Sequence, residues 1–180
     1  MAPISPTPSS ILDACIPRLI LNSSSRVVEL GCGDGRWIIS LSEKFHCKCI
    51  GIEIDEERLA LAKEQLLVRN LLKDEEQRLV QFQLTDIFEY LQKGTFMNCD
   101  LVIMYLFREA MKRISAILKE KGLVTTCNIK GDHDTPLIQL LCVGFILPSF
   151  VPVWQWKIDG RRVYLYHFKK SKNSKTEVSS

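Results

Sequence analysis

Three glycines two residues apart, Gly31, Gly33 and Gly35, follow a short apolar run in the stretch RVVELGCGDGRW, residues 26–37. Side chains on a strand-to-helix turn would hold a ligand away from the main chain. Glycines remove that obstruction and allow positive φ. The helix opened by such a turn offers unpaired N–H groups to a carboxylate or phosphate. A dinucleotide fingerprint puts its third glycine three residues after the second, leaving room for a pyrophosphate. Here the interval is two, and position 36 is Arg. Glu29, two residues before the first glycine, is placed to help hold an ammonium group. Glu53 ends the next apolar run, 22 residues after Gly31. A carboxylate at such a strand end accepts hydrogen bonds from both hydroxyls of a ribose; the alternative for Glu53 is a surface acid. Asp55, two residues on, is the better helix cap.

The elements that must position these groups follow from periodicity. Apolar runs of strand length at 26–30, 48–54, 79–83, 99–105 and 122–129 alternate with helical segments at 35–45, 56–72, 87–92 and 107–119. That alternation predicts a parallel sheet covered by helices on both faces. In 107–118, Phe107, Ala110, Met111, Ile114, Ile117 and Leu118 share one helical face, and Lys121-Gly122 stops the helix. WQWKI and RRVYLYHF flank Asp159-Gly160, a pair suited to a tight hairpin, so two antiparallel strands close the sheet. The apolar stretch 137–154 is interrupted by Gln139, Pro148, Ser149 and Pro152 and reads as helix, turn and strand rather than a membrane span.

VVELGCGDG resembles motif I of S-adenosylmethionine-dependent methyltransferases, whose ligand carries a carboxylate and an ammonium on its methionine part. PISPTP, LGCGDGRWIIS, GIEID, TDIF, DLVIMYL and KGLVTTCNI together resemble the small class I methyltransferases related to the ATP synthase c-subunit lysine methyltransferase family, over residues 4 to 168. The resemblance implies an α/β, Rossmann-like class I methyltransferase fold: a seven-stranded, mainly parallel sheet with a C-terminal antiparallel hairpin and helices on both faces. It implies S-adenosyl-L-methionine as cofactor, held by Glu29, Gly31, Cys32, Gly33, Gly35, Glu53, Ile54, Asp86 and Ile87. Asp86 then resembles the family acid that accepts from the adenine amino group, with Ile87 beside the ring; Asp86 is otherwise a helix cap. Tyr105 ends the fourth strand, where the family places residues facing the transferring methyl, and is the catalytic candidate; its alternative is a core tyrosine with a hydrogen-bonded tip. The activity implied is N-methylation of a protein lysine. A small-molecule methyltransferase and a non-catalytic cofactor-binding partner subunit are the other readings.

Charge narrows the partners. The last twelve residues, KKSKNSKTEVSS, carry four of the 24 basic side chains and one of the 21 acidic ones, so the rest of the chain holds equal numbers of each. A neutral body argues against nucleic-acid backbone binding, and no DPPY or NPPY motif stands at the fourth strand. Seven cysteines, an odd number set mostly within apolar runs, favour a reducing compartment, and no targeting segment precedes them, so a cytoplasmic protein with no membrane association is expected. The expected organisation is a leader over residues 1–10 that lies across the pocket through Thr7 or is disordered, one methyltransferase domain over 11–168, and a disordered basic tail over 169–180. HCKC at 46–49 lacks the second cluster that a zinc site needs, so no metal is expected. His133 is a proton acceptor if its loop covers the pocket and an exposed loop residue otherwise. Trp154 and Trp156 pack on helices or line the acceptor channel.

Overall fold

A computed structural model describes residues 8–69, 79–126 and 137–169. The expectations attached to Thr7, to His133 and to the tail beyond Lys169 fall outside them. The strands are β1 (Arg26–Leu30), β2 (Lys48–Glu53), β3 (Val80–Leu84), β4 (Leu101–Met104), β5 (Val124–Thr125), β6 (Leu137–Val143), β7 (Trp154–Ile158) and β8 (Arg161–Lys169). The α-helices are α1 (Ser9–Cys15), α2 (Arg36–Phe45), α3 (Glu56–Val68), α4 (Ile87–Lys93) and α5 (Arg108–Glu120). The described strands form one eight-stranded sheet in the order β3-β2-β1-β4-β6-β8-β5, with β7 on β8. β3, β2, β1, β4 and β6 run parallel, and β8 is antiparallel to β6, β5 and β7. This is the mixed Rossmann-like architecture implied by the sequence, with one strand more than expected.

The central parallel strands are clothed on both sides, while β3, at the sheet edge, is largely exposed. On β1, Val27 packs into a core with Ile11, Trp37, Ile38 and Leu41 from α1 and α2, while Val28 packs into the opposite core with Leu91, Met111, Ile114 and Leu118 from α4 and α5. That is the period of two expected when both faces of a strand are covered. Asp55 caps α3 by accepting from the N–H groups of Glu57 (3.1 Å) and Arg58 (3.2 Å). Asp159 and Gly160 have φ of 47° and 77°, the two positive values a two-residue hairpin turn requires, and they join β7 to β8.

The fifth parallel strand is a correction. It was expected at 122–129, with a helix opening the stretch 137–154. The structure puts it at Leu137–Val143, parallel to β4, whereas in the described part of the expected run, 122–126, Val124–Thr125 form a short strand antiparallel to the end of β8. β6 is buried from Ile138 to Val143. A run covered on both faces has no polar alternation to distinguish strand from helix. Gln139, which interrupts it, is satisfied in the core by Ile20: its Oε1 accepts from the N–H and its Nε2 donates to the carbonyl, each at 2.9 Å. The six described cysteines are all buried. No described helix is long and apolar enough to cross a membrane.

Candidate functional site

The parallel strands end together on one edge of the sheet, where ligands of open α/β folds bind. A cavity of about 330 Å³ lies there. β1 contributes Gly31 and Gly33, β2 Glu53 and Ile54, β3 the following Asp86, Ile87 and Phe88, β4 Tyr105, Leu106 and Phe107, and β6 Phe145; Arg58 of α3 closes one side. A larger groove, about 650 Å³, runs along the outer strand β3 beside Arg26, Lys48, Gln81 and Lys93. It has neither glycine turn nor strand-end carboxylate, so size does not locate the chemistry.

Main-chain geometry builds the β1–β2 side. Gly35, at the start of α2, has φ of 71°, and a Cβ there would lie 2.6 Å from the Phe82 ring, so both conformation and space require glycine. Gly33 also has positive φ, 54°, but a Cβ on it would meet nothing within 4 Å. It borders open space, as a turn that cradles a ligand must. Glu53 is 6% exposed. Its Oε2 accepts from Gly33 N–H (2.9 Å) and its Oε1 from Ile54 (2.9 Å) and Asp55 (3.1 Å). An ionised carboxylate has about four lone-pair sites. Three are filled by the chain, which fixes the group and leaves one acceptor direction for a hydroxyl. Asp34 and Arg36 brace the turn from outside, with Arg36 Nε donating to both Asp34 oxygens (2.9 and 3.0 Å). Partial burial opposes ionisation of Asp34, but the Arg36 hydrogen bonds and charge outweigh it and hold the carboxyl below the usual range.

Not every expected residue reaches the cavity. Gly31, Gly33, Glu53, Ile54, Asp86, Ile87 and Tyr105 line it; Glu29, Cys32 and Gly35 do not. Glu29 sits behind the turn, 9% exposed, with Oε2 lacking any described partner. Burial, then the nearby Asp34 charge, pushes its carboxyl well above the ordinary range, against which the Ile38 N–H helps only in part. Cys32 is buried and packs toward Gly51, where an added Cβ would lie 2.7 Å from its Sγ. Asp86 caps α4, its Oδ1 accepting from Phe88 (2.7 Å) and Glu89 (3.2 Å), and it also faces the cavity. The two readings of Asp86 are therefore compatible: one oxygen holds the helix and the other is available to a donor.

The other side of the cavity is made of side chains. Tyr105 is half-buried, and its hydroxyl accepts from Arg161 Nε at 3.3 Å. Phe107, expected on the core face of α5, is instead its N-cap and 53% exposed at the cavity mouth. Phe145 follows β6 with the Arg108 guanidinium 5.7 Å from its ring centre. Trp154 is 54% exposed, and Trp156 packs in the α1–α2 core under Arg18, so neither lines the cavity. Arg58, Phe88, Leu106 and Phe145 were not expected from sequence. Arg58 had a signal, three residues after the cap Asp55 to which its Nε is bound at 3.4 Å. Phe145 had none, because the strand preceding it read as helix.

A family model described as a methyltransferase domain matches residues 21–160. A protein-lysine N-methyltransferase of Saccharolobus islandicus is 36% identical over 58 residues, a stretch that spans 32% of this chain and 36% of that protein. An RNA methyltransferase of Salinibacter ruber, solved with S-adenosyl-L-homocysteine, superposes with a TM-score of 0.71 at 20% identity, covering 98% of this chain and all of that one. A methyltransferase-like protein of Escherichia coli, yhhF, superposes at 0.62 with 11% identity over 91% of this chain and 84% of its own. At such identities the superpositions speak for the fold.

Proposed function

The chain belongs to the methyltransferase-domain family, and from that membership we propose that it transfers a methyl group to the side-chain amine of a protein lysine. Its cofactor is S-adenosyl-L-methionine, which supplies an electrophilic methyl on a sulfonium sulfur. The residues present fit that ligand: the open space at Gly33 admits the methionine part beside the main chain, Glu53 offers an oriented acceptor to a ribose, and Asp86 with Ile87 offers an acceptor and an apolar surface to a purine. Glu29 lies behind the turn and does not line the cavity.

One observation carries the choice of acceptor. The wall that follows β4 and β6, touching the glycine turn where Leu106 meets Gly31, is Tyr105, Leu106, Phe107 and Phe145, an apolar and aromatic surface. It suits the four-carbon stem of lysine, and aromatic faces attract the cation that a methylated amine becomes. Catalysis then consists of positioning and exclusion of water. Tyr105 would orient the amine through its hydroxyl, and Phe107 and Phe145 would exclude water from the reacting atoms. The archaeal protein-lysine relative supports the same acceptor. RNA is the competing acceptor, on the likeness to the Salinibacter enzyme, and the neutral charge balance of the body weighs against it.

The test is to incubate purified protein with cofactor radiolabelled on the methyl group and an unfractionated cell extract. Label should resist nuclease, yield to protease, and co-migrate with methyl-lysine after acid hydrolysis. Label in RNA or in small molecules overturns the lysine reading and leaves the family standing.

A further inference from the structure

Methylating a lysine poses a protonation problem, because an amine with a reference pKa of about 10.4 is almost wholly ammonium at neutral pH. Among the described residues the acceptor wall has no carboxylate or imidazole to remove that proton. Tyr105 of that wall is instead held by a cation that does not itself line the cavity. Arg161, the first residue of β8, reaches 56 positions back in sequence to donate from Nε to the Tyr105 hydroxyl at 3.3 Å, with its guanidinium carbon 6.0 Å from the ring centre. It is half-buried, and no described carboxylate lies within ion-pair distance of it.

We propose that Arg161 is a positioning residue of the transfer: it fixes the Tyr105 hydroxyl toward the acceptor, and its positive charge favours the neutral amine over the ammonium beside it. With one lone pair of the Tyr105 oxygen taken by Arg161, the other accepts an N–H from the amine and turns the nitrogen lone pair toward the methyl. A fixed cation near an amine lowers the amine's pKa. The proton leaves to solvent, and the amine lone pair forms the new N–C bond as the C–S electron pair returns to sulfur. A thioether and a methylated ammonium result.

The charges around Tyr105 are accounted for element by element. On the cavity side, Glu53 is tied to three main-chain donors, Asp86 caps α4, and Arg58 is paired with Asp55. From α5, Arg108 stands over Phe145 and adds a second positive charge. On the hairpin, Asp159 accepts from Ser10 of α1, while Lys157 and Arg162 are exposed; Asp13 of α1 is exposed, and Arg18 lies over Trp156. No carboxylate in this set pairs with Arg161.

This proposal rests on the lysine reading, and the experiment separates the two. Initial rates of label incorporation into extract protein are measured from about pH 6.5 to 10.5 for wild type, Arg161→Gln, Arg161→Met and Arg161→Lys, with cofactor binding by calorimetry as the folding control. Arg161→Met keeps an apolar stem against the Tyr105 ring and serves as a second neutral variant. The neutral variants should bind cofactor as wild type does and be about tenfold slower at pH 7, with the rising limb displaced about one unit to higher pH; toward the top of the range the gap should nearly close for Arg161→Gln, which can still donate to Tyr105, and narrow less for Arg161→Met, which cannot. Arg161→Lys should keep the wild-type midpoint. A neutral variant slower by one constant factor at every pH overturns the electrostatic role. A wild type that labels no protein lysine overturns the lysine reading, and this proposal with it.

Discussion

The two sides of the cavity are built from different material. On the β1–β2 side, the acceptor of hydrogen bonds is one carboxylate, Glu53, and its three donors are peptide N–H groups of Gly33, Ile54 and Asp55. On the β4–β6 side, the surface is Tyr105, Phe107 and Phe145; Arg161 supports Tyr105 from 56 residues away, and Arg108, next to Phe107, reaches across to the Phe145 ring. The first is fixed by local backbone conformation, the second by packing between strands. A nucleoside common to a whole family suits a surface of peptide groups. An acceptor that differs between enzymes suits a surface of replaceable side chains.

The sharpest way to break this contrast is to disturb the main-chain side by shape alone. Gly35→Ala meets a positive φ and a Cβ 2.6 Å from Phe82, and should cost roughly 2–4 kcal/mol, seen as a drop of the melting temperature on the order of 10 °C or as insoluble protein. Gly33→Ala shares the positive φ but meets no atom, so it should cost about half as much while still obstructing cofactor. Equal losses of stability at the two sites would remove the steric part of the account. Glu53→Ala comes next. It deletes a charge-assisted acceptor and leaves three N–H groups unmet, so cofactor affinity measured by calorimetry should fall about 10- to 100-fold. On the opposite wall, Tyr105→Phe should leave cofactor affinity within about twofold and lower turnover about tenfold. If Tyr105→Phe weakened cofactor binding as much as Glu53→Ala, the division into two sides would be wrong.

The smallest expected effect concerns Glu29, behind the turn. Burial penalises the charged form and holds its folded carboxyl well above the ordinary carboxylate range. A raised folded pKa means the unfolded chain releases the proton first, so the stability contributed by the protonated group is complete below about 4.5 and declines as pH rises toward the folded value. Glu29→Gln does not titrate and can still accept from Ile38. Above pH 4.5 it should therefore gain on wild type, by about 1 kcal/mol or 2–4 °C at neutral pH. A variant less stable than wild type at pH 7 would show that the carboxylate has a partner that the burial argument omits.

Legibility in the sequence follows the same division. The glycine turn, the strand-end Glu53, the caps Asp55 and Asp86 and the Asp159-Gly160 hairpin were all readable, because each is a local rule of backbone conformation or capping. The aromatic wall was readable only where it continues such a rule, as at Tyr105 immediately after β4. Phe145 and Arg161 were not readable, since they enter through pairings of β6 with β4 and β8 that no short window contains. The misplaced fifth strand has the same origin. Runs 122–129 and 137–143 both read as strand length, and it is 137–143 that is buried between β4 and β8.

The three N–H groups around Glu53 carry a last consequence. Peptide groups cannot be deleted by substitution, so a mutational scan would register the nucleoside side at only a few positions, the glycines that shape it and the one acid that gathers its donors. The aromatic side would register residue after residue. A map of sensitive positions drawn from such a scan would show the acceptor surface densely and the cofactor surface as an almost blank patch. In this fold that blankness would mark recognition by the main chain, and a search for function guided by mutational sensitivity alone would look on the wrong side of the cavity.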